Sequence, residues 1–372
     1  MAEHHHQMNI HPSEPTPTEQ LANQPDWRGQ SILITGASGF IGSFFVERAL
    51  NEGLEVWAAI RKTSSRKYLQ DPRIHFIELD LSDDERLKEQ LLQHRHSFGP
   101  WNYVIHAAGA TKCRKKSQFF TTNTEGTLRL ARLLKQTATL TGRLVFISSL
   151  SVKGAIREKY AEHPTPGWRY APIREEDPSA PNTAYGLSKL KAEEGLAQID
   201  DLNYICLRPT GVYGPRERDY FLMAKSIVEH TDFAVGYGPQ EITFIYVKDL
   251  VEAAFLALYR GKSGRHYFLT DGGIYNSRTF SDLLQKELKV KRVLHIKAPL
   301  WVLRIVCAIS GKMAEWTGKA STLNMDKYHI LRQRNWQCDI TPAQNELGYS
   351  PQYPLERGVK EAVNWYKKEK WL

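Results

Sequence analysis

The stretch ILITGASGFIG, residues 32 to 42, joins an apolar run to three glycines spaced three residues apart. Glycine weakens strands and helices, so glycines at fixed intervals indicate a backbone that turns tightly or approaches another group closely. The run SILIT (31–35) predicts a buried strand. Residues 40–53 carry apolar side chains at helical spacing and end at Gly53, a natural residue for a helix C-terminus. The sequence therefore predicts a strand, a glycine turn and a helix in succession.

Such a turn in the first unit of a chain is the context of a dinucleotide-binding segment. Gly36 would permit the tight turn, Gly39 would let a pyrophosphate approach the backbone, and Gly42 would let the helix pack closely on the sheet. The helix N-terminus would supply free N–H groups and partial positive charge. The alternative is a tight turn without a ligand. We predict that the cofactor is bound here by Gly36, Ser38, Gly39, Phe40, Ile41 and Gly42.

Strands and helices continue to alternate after this unit. Further apolar runs predict strands at 54–60, 73–79, 103–109 and 143–149, with helices near 83–95 and 119–138. Near-continuous apolar strands are typical of a parallel sheet covered on both faces, so we predict an α/β fold with a doubly wound parallel sheet. The predicted organisation is a disordered leader (1–27), a dinucleotide-binding domain (28–210) and a smaller substrate-binding lobe interleaved with the sheet (211–372).

The composition excludes several classes of protein. The chain of 372 residues is 41% hydrophobic and has a net charge of +9. The excess charge is spread along the chain, which favours a solvated surface and an anionic cofactor rather than a nucleic-acid site. No run approaches the ~20 apolar residues of a membrane span. The cysteines show no paired spacing, so we expect no metal site, no disulfide framework and a cytoplasmic location; they are Cys113, Cys206, Cys307 and Cys338.

A second motif, TAYGLSKLKAEEG (183–195), indicates catalysis. Tyr185 and Lys189 stand four residues apart on a predicted helix and so share a face. A tyrosine of pKa ~10 is a poor acid–base catalyst near neutrality, and a nearby ammonium lowers that pKa. Ser149 stands at the predicted carboxyl end of the fifth strand, where α/β sheets bind ligands. We predict that its hydroxyl holds the substrate oxygen beside the tyrosine.

Several motifs together resemble the extended short-chain dehydrogenase/reductase family of NAD-dependent epimerases and dehydratases, over about residues 30 to 260. They are GASGFIG (36–42), HAAG (106–109), FISSLSVKG (146–154), YGLSK (185–189), LRPTGVYGPR (207–216) and FIYVKDL (244–250). The resemblance implies a Rossmann fold with Ser149, Tyr185 and Lys189 as the catalytic triad. It also implies that Asn123 is a structural or relay residue. Further cofactor contacts implied by the resemblance are Asp80, Leu81, Ala107, Ala108, Gly109, Tyr185, Lys189 and Pro209.

The residues after the second strand indicate which cofactor is bound. An acidic residue there binds the ribose of NAD, and basic residues accommodate the 2′-phosphate of NADP. The stretch AAIRKTSSRK (58–67) has no carboxylate. Arg61 and Lys62 follow the strand directly, with Ser64, Ser65 and Arg66 in reach. We predict NADP(H); if these are only solvated loop charges, NAD(H) is the alternative.

The substrate is indicated by GPQEITFIYV (238–247). Nucleotide-sugar enzymes of the family usually carry, about two residues before the phenylalanine, an arginine that grips the diphosphate; here the residue is Ile242. Arg216 remains a candidate for that role. We predict an apolar or amphipathic substrate, as in the branch that resembles 3β-hydroxysteroid dehydrogenases and dihydroflavonol reductases. The loop 155–182, with Trp168 and Tyr170, could cover it.

The apolar segment 298–318 has three interpretations: a core helix, an apolar substrate entrance, or a peripheral contact with a membrane surface. The predicted reaction is hydride transfer between nicotinamide and a carbonyl or alcohol carbon, in a homodimer. Two alternatives stay open. One is a nucleotide-sugar epimerase or dehydratase with tightly held NAD(P), and the other is a cofactor-binding scaffold without catalysis.

Overall fold

The computed structural model describes residues 25–154, 159–164, 166–317 and 324–372. Its strands are β1 Ser31–Thr35, β2 Glu55–Ala59, β3 His75–Ile77, β4 Trp101–His106, β5 Leu140–Ile147, β6 Tyr204–Pro209, β7 Gly211–Tyr213, β8 Thr231–Val235, β9 Phe244–Tyr246, β10 His266–Leu269 and β11 Leu294–Ala298. Its longer helices are α1 Phe40–Asn51, α2 Asp84–Phe98, α3 Gly126–Gln136, α4 Ala184–Leu196, α5 Asp219–Val228, α6 Val247–Tyr259, α7 Thr279–Leu288, α8 Leu300–Thr317, α9 Met325–Leu331, α10 Thr341–Leu347 and α11 Leu355–Lys368. Shorter helical pieces are Ser117–Phe119 and the π-helical Phe120–Glu125, which lead into α3, and the 3₁₀ turn Leu150–Val152 after β5.

Seven strands form one parallel sheet in the order β10-β6-β5-β4-β1-β2-β3. Ile32 of β1 lies beside Val56 of β2 and Tyr103 of β4. Successive residues of a strand face opposite sides, and both sides are covered. Ile32 packs in a core with α1 and α6, whereas Leu33 packs in a second core with α2, α3 and α4. The predicted doubly wound parallel sheet is confirmed.

Helix ends follow local rules that the sequence carries. Helix α1 ends at Asn51, and Gly53 after it has φ +82°, the left-handed conformation expected of a C-terminal glycine. Asp83 caps α2 by accepting a hydrogen bond from the N–H of Arg86. Helix α4 is capped in the same way by Thr183. The predicted positions of these helices are therefore correct to within a few residues.

Four strands end one to three residues earlier than the sequence predicted; β2 stops at Ala59 rather than at residue 60, and β3 stops at Ile77 rather than at residue 79. β4 stops at His106 rather than at residue 109, and β5 stops at Ile147 rather than at residue 149. After β4 the backbone ladder to β1 ends, since the N–H of Ala108 donates to the side-chain Oγ1 of Thr35 at 3.1 Å instead of to a backbone carbonyl. The predicted site residues after these strands therefore lie in loops at the carboxyl edge of the sheet.

Residues beyond 210 contribute both to the sheet and to smaller layers. β10 joins the edge of the sheet next to β6, and α6 packs on its face. Two separate parallel pairs, β7–β9 and β8–β11, lie outside it. At the other end, Trp27 corrects the predicted leader, because it is buried and its ring meets Tyr103 with centroids 5.3 Å apart. Residues 1–24 of that leader lie outside the described residues.

Candidate active site

The predicted site residues gather at one edge of the sheet. Because all seven strands run parallel, the residues that follow them meet at the carboxyl edge, which is where open α/β sheets bind ligands. The glycine turn follows β1, Arg61 follows β2 by one residue, the HAAG turn follows β4, Ser149 follows β5, and Pro209 ends β6.

The glycine turn is shaped by contacts that leave no room for side chains. Gly36 has φ +69°, and a Cβ on it would lie 2.7 Å from the backbone N of Ala108. A Cβ on Gly42 would lie 2.1 Å from the carbonyl oxygen of Gly36. Gly42 therefore lets α1 pack against the turn itself, rather than against the sheet as the sequence predicted.

The start of α1 is open to an anion. Gly39 precedes the helix and offers no side-chain cap, and the first turn has no acidic residue. The first N–H groups of a helix have no acceptor within it. These groups at Phe40, Ile41 and Gly42, together with the helix dipole, suit a pyrophosphate. The turn thus fits the phosphates of a dinucleotide.

Lys189 reaches from α4 under the end of β5. Its ammonium donates to the carbonyl oxygen of Ile147 at 2.9 Å and lies 4.6 Å from the centroid of the Phe146 ring. It also approaches the HAAG turn, since a Cβ on Gly109 would lie 3.2 Å from Nζ. Burial lowers the pKa of Lys189 to about 8, although the Glu193 carboxylate acts in the opposite direction.

Tyr185 and Ser149 face each other across the same space. Burial raises the pKa of the Tyr185 phenol, and hydrogen bonding to the Ser149 side chain partly offsets this rise. Ser149 precedes a 3₁₀ turn, and its Oγ accepts the N–H of Ser151 at 3.1 Å, which leaves the hydroxyl proton free to be donated elsewhere. Tyr185 and Lys189 lie one turn apart on α4. The structure thus brings the predicted triad together.

A buried chain of hydrogen bonds behind the site was not predicted. His106 contacts Oγ1 of Thr35 through Nδ1 at 2.7 Å and Oγ1 of Thr127 through Nε2 at 2.9 Å. The Thr127 hydroxyl donates to the carbonyl of Asn123, so it accepts from Nε2–H and Nδ1 accepts from Thr35. Burial lowers the pKa of His106 to about 3, which keeps this ring neutral. The histidine of the HAAG motif was the one sequence signal for this chain of hydrogen bonds. Its partners could not be predicted, because they are distant in the chain.

Asn123 fixes the loop after β4. Its side chain accepts from the N–H of Ala110 at 2.7 Å and donates to the carbonyl of Ala110 at 3.0 Å and to Oγ of Ser188 at 3.0 Å. It lies in the π-helical piece Phe120–Glu125, a widened turn that no spacing in the sequence indicates. These contacts link the HAAG loop to α4.

Two distant carboxylates also hold the site and were missed. Asp326 accepts the N–H of Ala184, the residue before Tyr185, at 2.9 Å. Glu241 is buried and accepts the N–H groups of Arg169 at 2.5 Å and Tyr170 at 3.2 Å, which fastens the loop predicted to cover the substrate. In that loop, residues 155–158 and 165 lie outside the described residues. Neither carboxylate has a sequence signal, because both act over long chain separations.

The loop after β2 presents two cations. Arg61 and Lys62 are exposed, and neither makes an ion pair within the described part of the chain. The other predicted groups have partners here, because Ser64 Oγ accepts the N–H of Arg61 at 3.0 Å and the Arg66 guanidinium lies 4.1 Å from the Phe76 ring centroid. Ser65 Oγ accepts the N–H of Lys67 in the same way.

Asp80 and Leu81 stand after β3. The Asp80 carboxylate accepts from the Ser82 hydroxyl at 2.5 Å and pairs with Arg86 at 3.3 Å. The Ser82 bond is the main reason that the pKa of Asp80 is lowered. The carbonyl of Leu81 accepts from Arg129 at 2.7 Å. Their contact with adenine stays a prediction.

The two residues considered for diphosphate binding, Ile242 and Arg216, both make contacts with other parts of the protein. Ile242 pairs through its backbone with Tyr275, at 2.7 and 2.8 Å, and its side chain packs against an aromatic cluster. The Arg216 guanidinium donates to Ser43 Oγ at 2.9 Å, pairs with Glu47, and lies 4.3 Å from the Phe44 ring centroid. Arg216 is thus bound to α1.

One group of residues has the composition of a metal site. Ligand-type atoms of Glu193, Cys206 and His266 lie within 4.8 Å of one another, and this is the only such group in the described part of the chain. Both Glu193 oxygens, however, accept from the Arg208 guanidinium, at 3.1 and 2.7 Å. A cation placed there would meet that guanidinium, so the group is a buried ion pair joining α4 to β6.

Comparison with known proteins identifies the family. A family model described as the NAD dependent epimerase/dehydratase family matches residues 32–276. The chain belongs to this family. The resemblance found in the sequence is thereby confirmed, and the protein is an enzyme of the extended short-chain dehydrogenase/reductase kind.

Relatives of the chain include both nucleotide-sugar enzymes and sterol dehydrogenases. A putative UDP-glucose 4-epimerase of Methanocaldococcus jannaschii is 25% identical over 90% of this chain and 98% of its own length. A decarboxylating sterol-4-alpha-carboxylate 3-dehydrogenase of Candida albicans is 23% identical over 91% and 98%. The family is therefore certain, and these relatives leave the substrate open.

Solved structures agree on the fold. The UDP-glucose 4-epimerase of Thermotoga maritima, solved with UDP-glucose, has a TM-score of 0.72 and 22% identity over 92% of this chain and 100% of that one. The dTDP-glucose 4,6-dehydratase of Bacillus anthracis, solved in complex with NAD, has a TM-score of 0.69 and 22% identity over 92% and 98%. At this level of identity they support the Rossmann-like fold alone.

Proposed function

We propose that the protein is an NADP(H)-dependent oxidoreductase that transfers a hydride to or from a carbonyl or alcohol carbon of an apolar or amphipathic substrate. The proposed substrate class rests on one observation: neither of the two residues considered for diphosphate binding, 216 and 242, offers an unengaged positive charge. Ile242 has no charge, and Arg216 is engaged by Ser43 and Glu47. A diphosphate brought to this region would meet no charge at Ile242 and would have to compete with Glu47 for Arg216, which is costly.

In the proposed mechanism the side chains move one proton and hold one oxygen. The Ser149 hydroxyl donates to the substrate oxygen, and the Tyr185 phenol donates its proton to it during reduction, or accepts one during oxidation. The Lys189 ammonium, held by the Ile147 carbonyl at 2.9 Å, stabilises the phenolate that forms. The bound nicotinamide supplies or accepts the hydride.

The preference for NADP(H) rests on Arg61 and Lys62. Both are exposed beside the end of β2, and no carboxylate stands in the stretch 58–67. An arginine can pair with a phosphate through charge-assisted hydrogen bonds, whereas the ribose 2′-OH of NAD is usually bound by an acidic residue.

A second candidate function is nucleotide-sugar epimerisation or dehydration, with the nicotinamide cofactor retained through each turnover. Its support is the names of the relatives, which include a putative UDP-glucose 4-epimerase over nearly the full length of this chain. It would need a diphosphate partner other than residues 216 and 242.

The test is a panel of steroids, long-chain ketones, flavonoids and UDP- or GDP-sugars, assayed by NADPH absorbance. Turnover of an apolar ketone or alcohol with net oxidation or reduction of the cofactor is expected. Conversion of a nucleotide-sugar without net change of cofactor, followed by chromatography, would favour the second candidate. The absence of turnover with every class, while NADPH still binds, would favour a scaffold without catalysis.

A further inference from the structure

Helix α8 carries an exposed apolar face. Leu303 and Cys307 are buried against Tyr328 of α9, so one side of the helix is packed. On the outer side, Trp301 is 67% exposed, Ile305 50%, Val306 42% and Ile309 55%. The outer face of a surface helix usually carries polar side chains, whereas this one exposes four apolar side chains on adjacent turns. The segment is therefore neither fully buried nor an ordinary surface helix.

The neighbouring pair of strands also exposes apolar side chains. Ile296 of β11 lies beside Phe233 of β8 in register, and successive residues of a strand alternate between faces. Phe233 therefore shares a face with Val235, which packs with Leu303 of α8. On this face Phe233 is 65% exposed and Leu294 64%. We call Phe233, Leu294, Ile296, Trp301, Ile305, Val306 and Ile309 the apolar patch.

The apolar patch is set among positive charges. Residues 289–314 contain no aspartate or glutamate and six cations: Lys289, Lys291, Arg292, Lys297, Arg304 and Lys312. All six are exposed, and none makes an ion pair within the described part of the chain. Several exposed apolar side chains on one helix face indicate an interaction site, and unpaired cations in the same segment favour an anionic occupant.

We propose that the apolar patch and its cations bind the surface of an anionic lipid bilayer. The aromatic and aliphatic side chains would enter the boundary between headgroups and acyl chains, and the cations would meet lipid phosphates. The contact is peripheral, because no helix in the described residues is long and apolar enough to cross a membrane. A second copy of the chain would bring the same cations together, which disfavours that occupant.

The patch lies one helix away from the catalytic helix. Helix α8 packs on α9, and Asp326 of α9 accepts the N–H of Ala184 beside Tyr185. If the proposed function is correct, an apolar substrate dissolved in the bilayer would reach the protein near its site. This last step rests on the proposed function, whereas lipid binding itself does not.

The test is co-sedimentation of the full chain with vesicles of phosphatidylcholine, with and without phosphatidylglycerol. Binding to the mixed vesicles is expected, with weaker binding to phosphatidylcholine alone and at high salt. Ile305→Ser with Ile309→Ser should weaken binding at least about tenfold, since two half-exposed side chains lose their burial in lipid. Arg304→Ala with Lys312→Ala should weaken it only on the anionic vesicles.

The matched control is Leu92→Ser with Leu222→Ser, which removes two leucines of similar exposure, 45% and 55%, from α2 and α5. This variant should bind vesicles as the unchanged protein does. Equal binding by both apolar double variants, or no binding of the unchanged protein, would overturn the proposal. So would a dimer that dissociates in the Ile305→Ser, Ile309→Ser variant while no vesicles are bound. Vesicle binding without turnover of apolar substrates would leave this proposal standing and refute the proposed function.

Discussion

At the scale of single residues, the site depends on how a lysine is kept charged in a buried place. Lys189 is 4% exposed and has one neutral acceptor, the Ile147 carbonyl, at 2.9 Å. Burial disfavours its charge, which is why its pKa falls to about 8. In the proposed mechanism, a phenolate forming at Tyr185 would stabilise the positive charge of this ammonium, which burial disfavours.

Tyr185→Phe should abolish turnover and leave cofactor binding nearly intact. The change removes only the hydroxyl, so packing of the ring near Phe119, at a centroid distance of 6.2 Å, is kept. General acid–base catalysis contributes ~10²–10⁴-fold, so kcat should fall by that range. NADPH titration by fluorescence serves as the control. A variant that keeps a third or more of the activity would refute the role of Tyr185.

Carbonyl reduction should slow as the pH rises through about 8. Lys189 is protonated below its pKa of about 8 and loses the charge above it, which removes the stabilisation of the phenolate. The rate of reduction should therefore be flat at lower pH and decline on the alkaline side. In Lys189→Arg the decline should move to higher pH, because a guanidinium stays protonated. An unchanged pH profile in that variant would mean that another group titrates.

Arg61→Ala should weaken NADPH binding by about 10-fold or more and leave NADH binding almost unchanged. A charge-assisted hydrogen bond to phosphate contributes roughly 1.5–3 kcal/mol, and each 1.4 kcal/mol is tenfold. Titration of both cofactors against both proteins by fluorescence measures this. Arg66→Ala is the matched control, because its guanidinium already stacks on Phe76. Equal losses for the two cofactors would show that Arg61 does not select the phosphate.

At the scale of elements, helix α4 is capped twice at its N-terminus. Thr183 Oγ1 accepts the N–H of Gly186 at 3.0 Å, as a local cap does. Asp326 accepts the N–H of Ala184 from 142 residues away. A negative charge at a helix N-terminus is stabilising, and here it also fixes the turn that carries Tyr185.

Asp326→Ala should lower kcat and leave the NADPH Kd unchanged. The missing cap should also cost about 1 kcal/mol of unfolding free energy. Asp326→Asn keeps an acceptor oxygen and should restore much of kcat. Asp84→Ala, which removes a carboxylate from the start of α2, is the control and should cost stability alone. If both variants lose stability and neither loses kcat, Asp326 supports the fold without positioning Tyr185.

The sequence predicted those elements whose signals are local. The apolar run of β1, the spacing of α1 and Gly53 after it needed only neighbouring residues, and all are correct. The end of β4 was misjudged because the apolar pattern continues through Ala108, whose N–H bonds to the Thr35 side chain instead. The π-helical piece around Asn123 had no local signal at all.

At the scale of the whole molecule, the parallel sheet explains why the predicted site residues lie at one edge. Parallel order sends every strand end to one edge, so motifs after β1, β2, β4 and β5 must converge there. Support from Asp326, Glu241 and the partners of His106 could not be predicted, since these contacts depend on how distant segments meet. The expected homodimer stays a prediction.

The most direct test of the central claim is calorimetric titration of UDP, GDP and dTDP into the protein saturated with NADP. No binding of any of them is expected at micromolar concentration, because Ile242 is apolar and Arg216 is bound to Ser43 and Glu47. A sterol or long-chain ketone should bind under the same conditions through apolar burial. Micromolar binding of any nucleoside diphosphate would contradict the account and favour a nucleotide-sugar enzyme.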